Sequence, residues 1–401
     1  MDGTAAPLSG GPVVTQIVTH GADSLEAGDL DHGGTSRISW VVSLALTGLG
    51  GMSVWAVGSV HARASCDHPS WRARRMLGMS GLRFLHGDLE VLRVLMARRR
   101  VGDVPGARRD KHRVVLVVGG GGMRGAYVAG MLRGLDRAGL RAGFDEVFGA
   151  SSGAFSGAAF LTGQAEEGAA CFPEDLAGRA FINLARLGTG RPVLSLDYLI
   201  EKVLGRRKPL LWDALGASPA PLRIVATDTA DLTAHTLTPD TVEQWRQAVR
   251  ASACIPLLAG RPIAFGGRYW IDGSVAEPLA VARAVRGGAT HVLALLCRGP
   301  AELHPRPDTG SSRWATVLDR MAPGLGTLAQ GSRRYGNDLQ VIKATAHRIR
   351  ESPVLAALTP ARSAGVTGLC RDRVALHAAV EIGERTVSTA LEHCVTAGRS
   401  A

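Results

Sequence analysis

Lysine is nearly missing from this 401-residue chain: Lys111, Lys202, Lys208 and Lys343 are all of it, although lysine and arginine together number 46. Arginine therefore carries the formal net charge of +11. Aromatic residues make up only 5%, and they are not interleaved with basic ones, which argues against stacking on nucleic-acid bases. A basic surface without such stacking suits anionic headgroups better, so a membrane surface is the expected partner and nucleic acid is not. The six cysteines, Cys66, Cys171, Cys254, Cys297, Cys370 and Cys394, include no C-x-x-C pair. That speaks against a zinc site or a disulfide framework and for reduced thiols in a cytoplasmic main domain. Neither a carboxylate loop of the EF-hand type nor a solenoid repeat is present.

Positive charge is also missing from residues 1–36, which contain neither lysine nor arginine and read as a disordered acidic tail. Residues 37–110 read as an extension. Its segment 38–60, ISWVVSLALTGLGGMSVWAVGSV, has 23 uncharged residues, against roughly 20 needed for a membrane helix. Arg37 precedes it and His61, Arg63, Arg72, Arg74 and Arg75 follow, so a spanning segment would place its C-terminal side in the cytoplasm. Gly48, Gly50, Gly51 and Gly58 moderate its hydrophobicity, and a packed soluble segment is the competing reading. Farther on, Leu85, Leu89, Leu92, Leu95 and Met96 recur at helical spacing among arginines. That pattern fits a solvated helix packed on the main domain or a basic amphipathic helix on a membrane. Gly102 to Asp110 reads as a linker.

The richest stretch runs from Val114 to Gly153. A valine-rich run, a buried-strand candidate, breaks into Gly119–Gly122, and Val128, Leu132 and Leu135 then mark one face of a helix. The first amides of that helix point back at the glycine loop. A second turn, Gly149-Ala150-Ser151-Ser152-Gly153, has the G-x-S-x-G form, in which flanking glycines permit a strained strand-to-helix elbow that exposes a serine hydroxyl. The small residues Ala154, Gly157, Ala158 and Ala159 let the following helix approach a sheet closely.

Beyond the elbow, the pattern predicts helices over 197–204, 240–253 and 278–285, strands over 222–226, 268–271 and 291–296, and a final strand at 354–358 before a last helix over 371–391. A helical stretch interrupted by glycines is expected at 314–345. Alternating strands and helices argue for an α/β fold with helices on both faces of its sheet. The core is placed at 111–300, completed by 301–401.

Two chemistries compete for the glycine loop. Gly120 to Gly125 fits G-x-G-x-x-G, and Asp145 and Glu146 lie near the distance at which a dinucleotide-binding fold holds its ribose carboxylate, which would make a nucleotide-binding oxidoreductase. A serine in the second turn instead calls for a base and an oxyanion hole. Neither His291 nor His304 lies in a glycine-rich turn at a strand end. Asp272 does follow an apolar strand, in Trp270-Ile271-Asp272-Gly273, though Asp-Gly is also an ordinary turn. A catalytically silent membrane-binding protein is the third reading.

Gly-Gly-Gly-Met-Arg-Gly at 120–125, Gly-Ala-Ser-Ser-Gly at 149–153 and Asp272-Gly273, in that order, resemble the three signature blocks of the patatin-like phospholipases. Ala251-Ser252-Ala253-Cys254-Ile255-Pro256 resembles a further segment of that family. The resemblance covers Val114 to Leu296 and implies a three-layer α/β/α domain with a mostly parallel sheet, needing no cofactor and no metal. By position it implies Ser151 as nucleophile and Asp272 as base, a dyad that accounts for the missing histidine. It further implies an oxyanion hole from the amides of Gly121, Gly122 and Met123, with Arg124 and Gly125 supporting the loop or a phosphate, and Gly149, Gly153 and Gly273 shaping the turns. The implied substrate is a phospholipid or related acyl ester. Ser274 stands where the family has glycine or alanine.

Overall fold

In the computed structural model the described residues are 82–186, 189–299, 335, 338–342 and 353–399, with three N-terminal strands traced as backbone. Two compact units are distinguished, Met1–Met76 and Leu77–Ala401.

In the first unit, β1 (Gln16–Thr19) pairs antiparallel with β2 (Ser39–Thr47), and β2 pairs antiparallel with β3 (Ser53–His61) from Ser39↔His61 to Thr47↔Ser53. The membrane-helix reading of 38–60 is thereby corrected to a strand pair. Its valines and tryptophans favour strands, and each interior glycine costs a helix about 1 kcal/mol relative to alanine. No helix among the described residues is long and apolar enough to cross a membrane. Of the acidic tail, only β1 lies among the described residues.

The second unit is built on a sheet in the order β4-β12-β11-β5-β6-β7-β10-β9, with β8 on β7. These strands are β4 (Leu85–Gly87), β5 (Val114–Val118), β6 (Glu146–Ala150), β7 (Leu222–Asp228), β8 (Ala234–Leu237), β9 (Ile263–Phe265), β10 (Arg268–Asp272), β11 (His291–Leu295) and β12 (Val354–Leu358). Pairings from β12 through β11, β5 and β6 to β7 are parallel, and β4, β8, β9 and β10 join antiparallel. Every residue of β5, β6 and β11 is buried, as expected of parallel strands covered on both faces.

The helices are α1 (Glu90–Val101), α2 (Gly125–Arg137), α3 (Ser152–Leu161), α4 (Ala165–Cys171), α5 (Trp212–Gly216), α6 (Val242–Ser252), α7 (Val281–Arg286) and α8 (Arg373–Arg399). A π-helix at Tyr198–Arg207 occupies the place of the helix expected at 197–204. Helix α3 lies against β5, β6 and β7, α6 against β7, β9 and β10, and α7 against β5 and β11. Helix α8 runs along α2, where a side chain at Gly383 would strike the amide of Met131 and the carbonyl of Tyr127. That close crossing holds the helix launched by the glycine loop. Of the stretch expected to be helical at 314–345, Tyr335 and 338–342 are described and helical, and the rest lies outside the described residues.

The arginine-rich helix α1 belongs to this unit. It buries Val91, Leu92, Val94 and Leu95 and contacts β11 and β12, so its apolar face is taken by the sheet. Arg98, only 1% exposed, binds the carboxylates of Asp110 and Asp145 at 2.8 Å and the carbonyls of Gly143 and His112 at 2.6 Å. The segment expected as a linker is thus tied to the beginnings of β5 and β6.

Candidate active site

Strand pairing explains how residues 121 positions apart come together. Strand β6 runs parallel to β7 and ends with Ala150 opposite Val225, whereas β10 runs antiparallel to β7 and ends with Asp272 opposite Ala226. Strand β8 pairs with Ile224–Thr227 and so takes the other edge of β7, which puts β6 and β10 on one edge, meeting head-on. Both chains must turn away where they meet. At the end of β6 the turn is Ser151, with φ 55° and ψ −127°, a strained conformation for a residue with a side chain. At the end of β10 it is Asp272-Gly273, which opens a short 3₁₀ turn.

The two side chains meet at the junction. The Ser151 hydroxyl donates to Asp272 Oδ2 at 2.6 Å, and Asp272 Oδ1 accepts the Ser274 amide at 2.8 Å. Ser274, in the third motif position, supports the Asp272 carboxylate with its backbone amide, which any residue but proline would supply, and with its side chain. Burial at 1% exposure raises the Asp272 carboxyl to about 6, opposed by its bonds from Ser151 and Ser274. The turn glycines are needed for packing: a side chain on Gly149 would come 2.6 Å from the Gly153 carbonyl, and those on Gly153 and Gly273 would strike the carbonyls of Val118 and Val225.

The glycine loop lies beside the serine. A Cβ on Gly120 would stand 2.9 Å from that of Ser151, and one on Gly125 would stand 2.6 Å from the Ser152 hydroxyl. Of the three amides expected to face an oxyanion, that of Gly122, at φ +59°, has no partner among the described residues. The Gly121 amide donates to Ser152 Oγ at 3.1 Å. Met123 departs from the expectation, because its amide is committed to the Gly368 carbonyl at 3.0 Å. Ser152 heads α3, so its own amide has no intrahelical acceptor; that donor was not singled out from the sequence.

Two cavities share Ser151, Gly122, Ile255 and Gly368. One is apolar and reaches Phe155, Phe172, Phe181, Leu194, Leu196 and Leu199. The other gathers polar groups on a largely apolar wall: Asp272, Ser274, Arg124, Arg298 and Tyr335 line it beside Ile255 and Leu258. Histidine lines neither cavity among the described residues, and His291 sits at the opposite end of the sheet, edge to face with His112 at 4.4 Å. His304 lies outside the described residues.

The dinucleotide reading fails on position. Asp145 and Glu146 stand at the start of β6, away from the glycine loop at the end of β5. Asp145 is held by Arg98 and Arg108 and Glu146 by Arg113 and Arg223. A ribose-binding carboxylate belongs at the strand ends that carry the phosphate loop.

Residues 116–285 match the sequence profile of the patatin-like phospholipase family. The chain carries a patatin-like phospholipase domain. The profile match supports lipid acyl hydrolysis as the general chemistry of that domain. The Escherichia coli (strain K12) protein YjjU is 28% identical over 211 residues, which is 52% of this chain and 57% of YjjU. The match thus spans little more than half of that relative. Among solved structures, VipD from Legionella pneumophila is similar at 13% identity and a TM-score of 0.39, over 71% of this chain and 67% of VipD. Human GIVD cytosolic phospholipase A2, solved with methyl γ-linolenyl fluorophosphonate, aligns at 13% identity and a TM-score of 0.35, over 90% of this chain and 70% of that one.

The patatin-like domain also uses residues that motif reading passed over. The Ser252 hydroxyl accepts the Ser151 amide at 2.9 Å. Thr227 donates to the Asp272 carbonyl at 2.9 Å. Cys297 and Tyr335 meet the glycine loop from 177 and 215 positions away, and no local pattern marks either.

Proposed function

We propose that this chain hydrolyses carboxylic esters of acyl lipids, with Ser151 as nucleophile and Asp272 as base. The observation that carries the reading is the 2.6 Å hydrogen bond between the two buried side chains at the mouth of two cavities. A serine hydroxyl is a weak nucleophile until a base accepts its proton. A carboxylate lifted to about 6 is a stronger base than an exposed aspartate and is still mostly ionised near neutrality. As Ser151 Oγ bonds to the ester carbon, its proton passes to Asp272 and the carbonyl π-pair moves onto oxygen. The amides of Gly121, Gly122 and Ser152 receive that oxyanion. Collapse expels the alcohol, which takes the proton from Asp272 and leaves acyl-Ser151. Water, deprotonated by Asp272, then repeats the sequence and releases the fatty acid.

The two cavities support a lipid substrate with its acyl chain among Phe155, Phe172 and the leucines. The leaving alcohol would lie toward Arg124 and Arg298, an environment that favours a phosphate-bearing glycerol over a neutral one. The domain would meet this substrate at a membrane surface, and none of its described helices is long and apolar enough to cross one.

Labelling with a fluorophosphonate, followed by peptide mapping and a panel of phospholipids, lysophospholipids and neutral glycerides, tests the reading. Modification at Ser151 with preferential release of fatty acid from the phosphate-bearing lipids is expected. Labelling elsewhere, or none together with no fatty-acid release, would sink it.

A further inference from the structure

The glycine loop is held from behind by two side chains that the reaction itself does not use. The Tyr335 hydroxyl and the Cys297 thiol, the latter at 3.1 Å, both donate to the carbonyl of Gly120. They also pack against the loop. A Cβ on Gly119 would stand 3.0 Å from Tyr335 Oη, and one on Gly121 would strike Cys297 Sγ.

A trans peptide is planar, with its C=O and N–H pointing in opposite directions. Fixing the Gly120 carbonyl toward Tyr335 and Cys297 therefore aims the Gly121 N–H the other way. On that side the amide meets Ser152 Oγ at 3.1 Å, next to the nucleophile. A carbonyl offers two lone pairs, and these two donors use both. Hydrogen bonds accepted at one end of a peptide also polarise it and strengthen donation at the other, by roughly 10–30% per bond. Burial pushes the Tyr335 phenol well above its ordinary value, so it remains a donor throughout the working range. Its ring carries the Arg298 guanidinium 5.7 Å from the centroid, which braces it from the cavity side.

We propose that Tyr335 and Cys297 are positioning residues that clamp the Gly120 carbonyl and thereby aim the Gly121 amide at the developing oxyanion. Ser152 Oγ keeps this amide hydrogen-bonded in the resting site, and the oxyanion takes its place during the reaction. The inference rests on the hydrolase reading for its catalytic half, whereas the clamp itself is a statement about the loop.

The test uses the full chain with Tyr335→Phe, Cys297→Ser and Cys297→Ala. On a soluble short-chain ester, Tyr335→Phe should lower kcat about tenfold with KM within about twofold, since an interaction specific to the transition state is weakened. Cys297→Ser keeps a donor and should stay close to wild type, while Cys297→Ala should fall several-fold. Hydrogen–deuterium exchange of the peptide spanning 118–125 should accelerate in Tyr335→Phe, with exchange in β6 and α8 unchanged. Unchanged exchange would overturn the clamp whatever the activity. Faster exchange with unaltered kcat, or Cys297→Ser falling as far as Cys297→Ala, would overturn the catalytic assignment. If the wild-type chain neither turns over the ester nor takes the label at Ser151, the hydrolase reading fails separately, and exchange alone decides the clamp.

Discussion

The Ser151 amide donates to the Ser252 hydroxyl at 2.9 Å across 101 positions of chain. That hydroxyl in turn donates to the Val225 carbonyl at 2.6 Å. One side chain therefore bridges the strained elbow to the strand that aligns Ser151 and Asp272. Ser252→Ala leaves a buried amide and a buried carbonyl unpaired, at about 1–3 kcal/mol. Its denaturation midpoint should drop accordingly and its kcat should fall about tenfold. Wild-type values of both would remove the bridge from the site.

Activity and stability should separate at Asp272. Ser151→Ala should abolish ester turnover and probe labelling, and Asp272→Asn should lower kcat by about 10³ or more. A carboxyl raised from 3.8 to about 6 costs the folded state about 3 kcal/mol once ionised. Asparagine can still accept from the Ser274 amide without that charge, so Asp272→Asn should melt higher than wild type at pH 8. A lower melting temperature there would contradict the burial argument.

The pH dependence follows with a definite sign. Asp272 must be ionised to accept the serine proton, so kcat/KM should rise with pH through an inflection near 6 and level off above it. Because the folded-state value lies above the unfolded one, the destabilisation is absent below about 4, grows between about 4 and 6, and is complete above 6. The stability gap between Asp272→Asn and wild type should therefore open across that window in urea titrations. A gap independent of pH would assign it to packing instead.

Chain length should be read by the apolar cavity. Leu196 lines it beside Phe155 and Phe172, and Leu196→Trp would fill it. Release of long-chain acids should decline at least about tenfold in kcat/KM while short-chain esters are retained, given the few kcal/mol that fitting several methylenes represents. Equal losses on both chain lengths would place the acyl chain elsewhere.

Arg98 offers a control remote from the chemistry. Removing its charge in Arg98→Met takes the only guanidinium from Asp110 among the described residues, whereas Asp145 keeps Arg108. The carboxylate left behind is partly exposed, so the loss should lie below the about 3–5 kcal/mol typical of a fully buried pair broken from one side. The folded fraction should keep its kcat while the urea midpoint falls. An unchanged midpoint would mean that α1 contributes little to holding the domain together.

Much of the sheet was legible because strands such as Val114–Val118 and Val354–Leu358 are short β-branched or apolar runs bounded by turn residues, and those preferences act over a few positions. The 38–60 run misled on length: hydropathy counts apolar residues without regard to period, and glycines and β-branched residues turned it toward strands. The arginine pattern of α1 also left its surroundings open, because the spacing that would suit a membrane suits β11 and β12 equally.

The order of residues alone carried the elbow at Ser151, the glycine loop at 119–125 and the turn at Asp272, since each is a local backbone geometry that small residues permit. Folding decided that β6 and β10 meet head-on along one edge of β7, which makes a hydroxyl and a carboxylate into a pair. It also decided that Ser252 reaches that junction, that Cys297 and Tyr335 reach the glycine loop, and that Met123 spends its amide on Gly368. Hydrogen bonds between positions so far apart in the chain depend on strand order and helix packing, which no local spacing encodes.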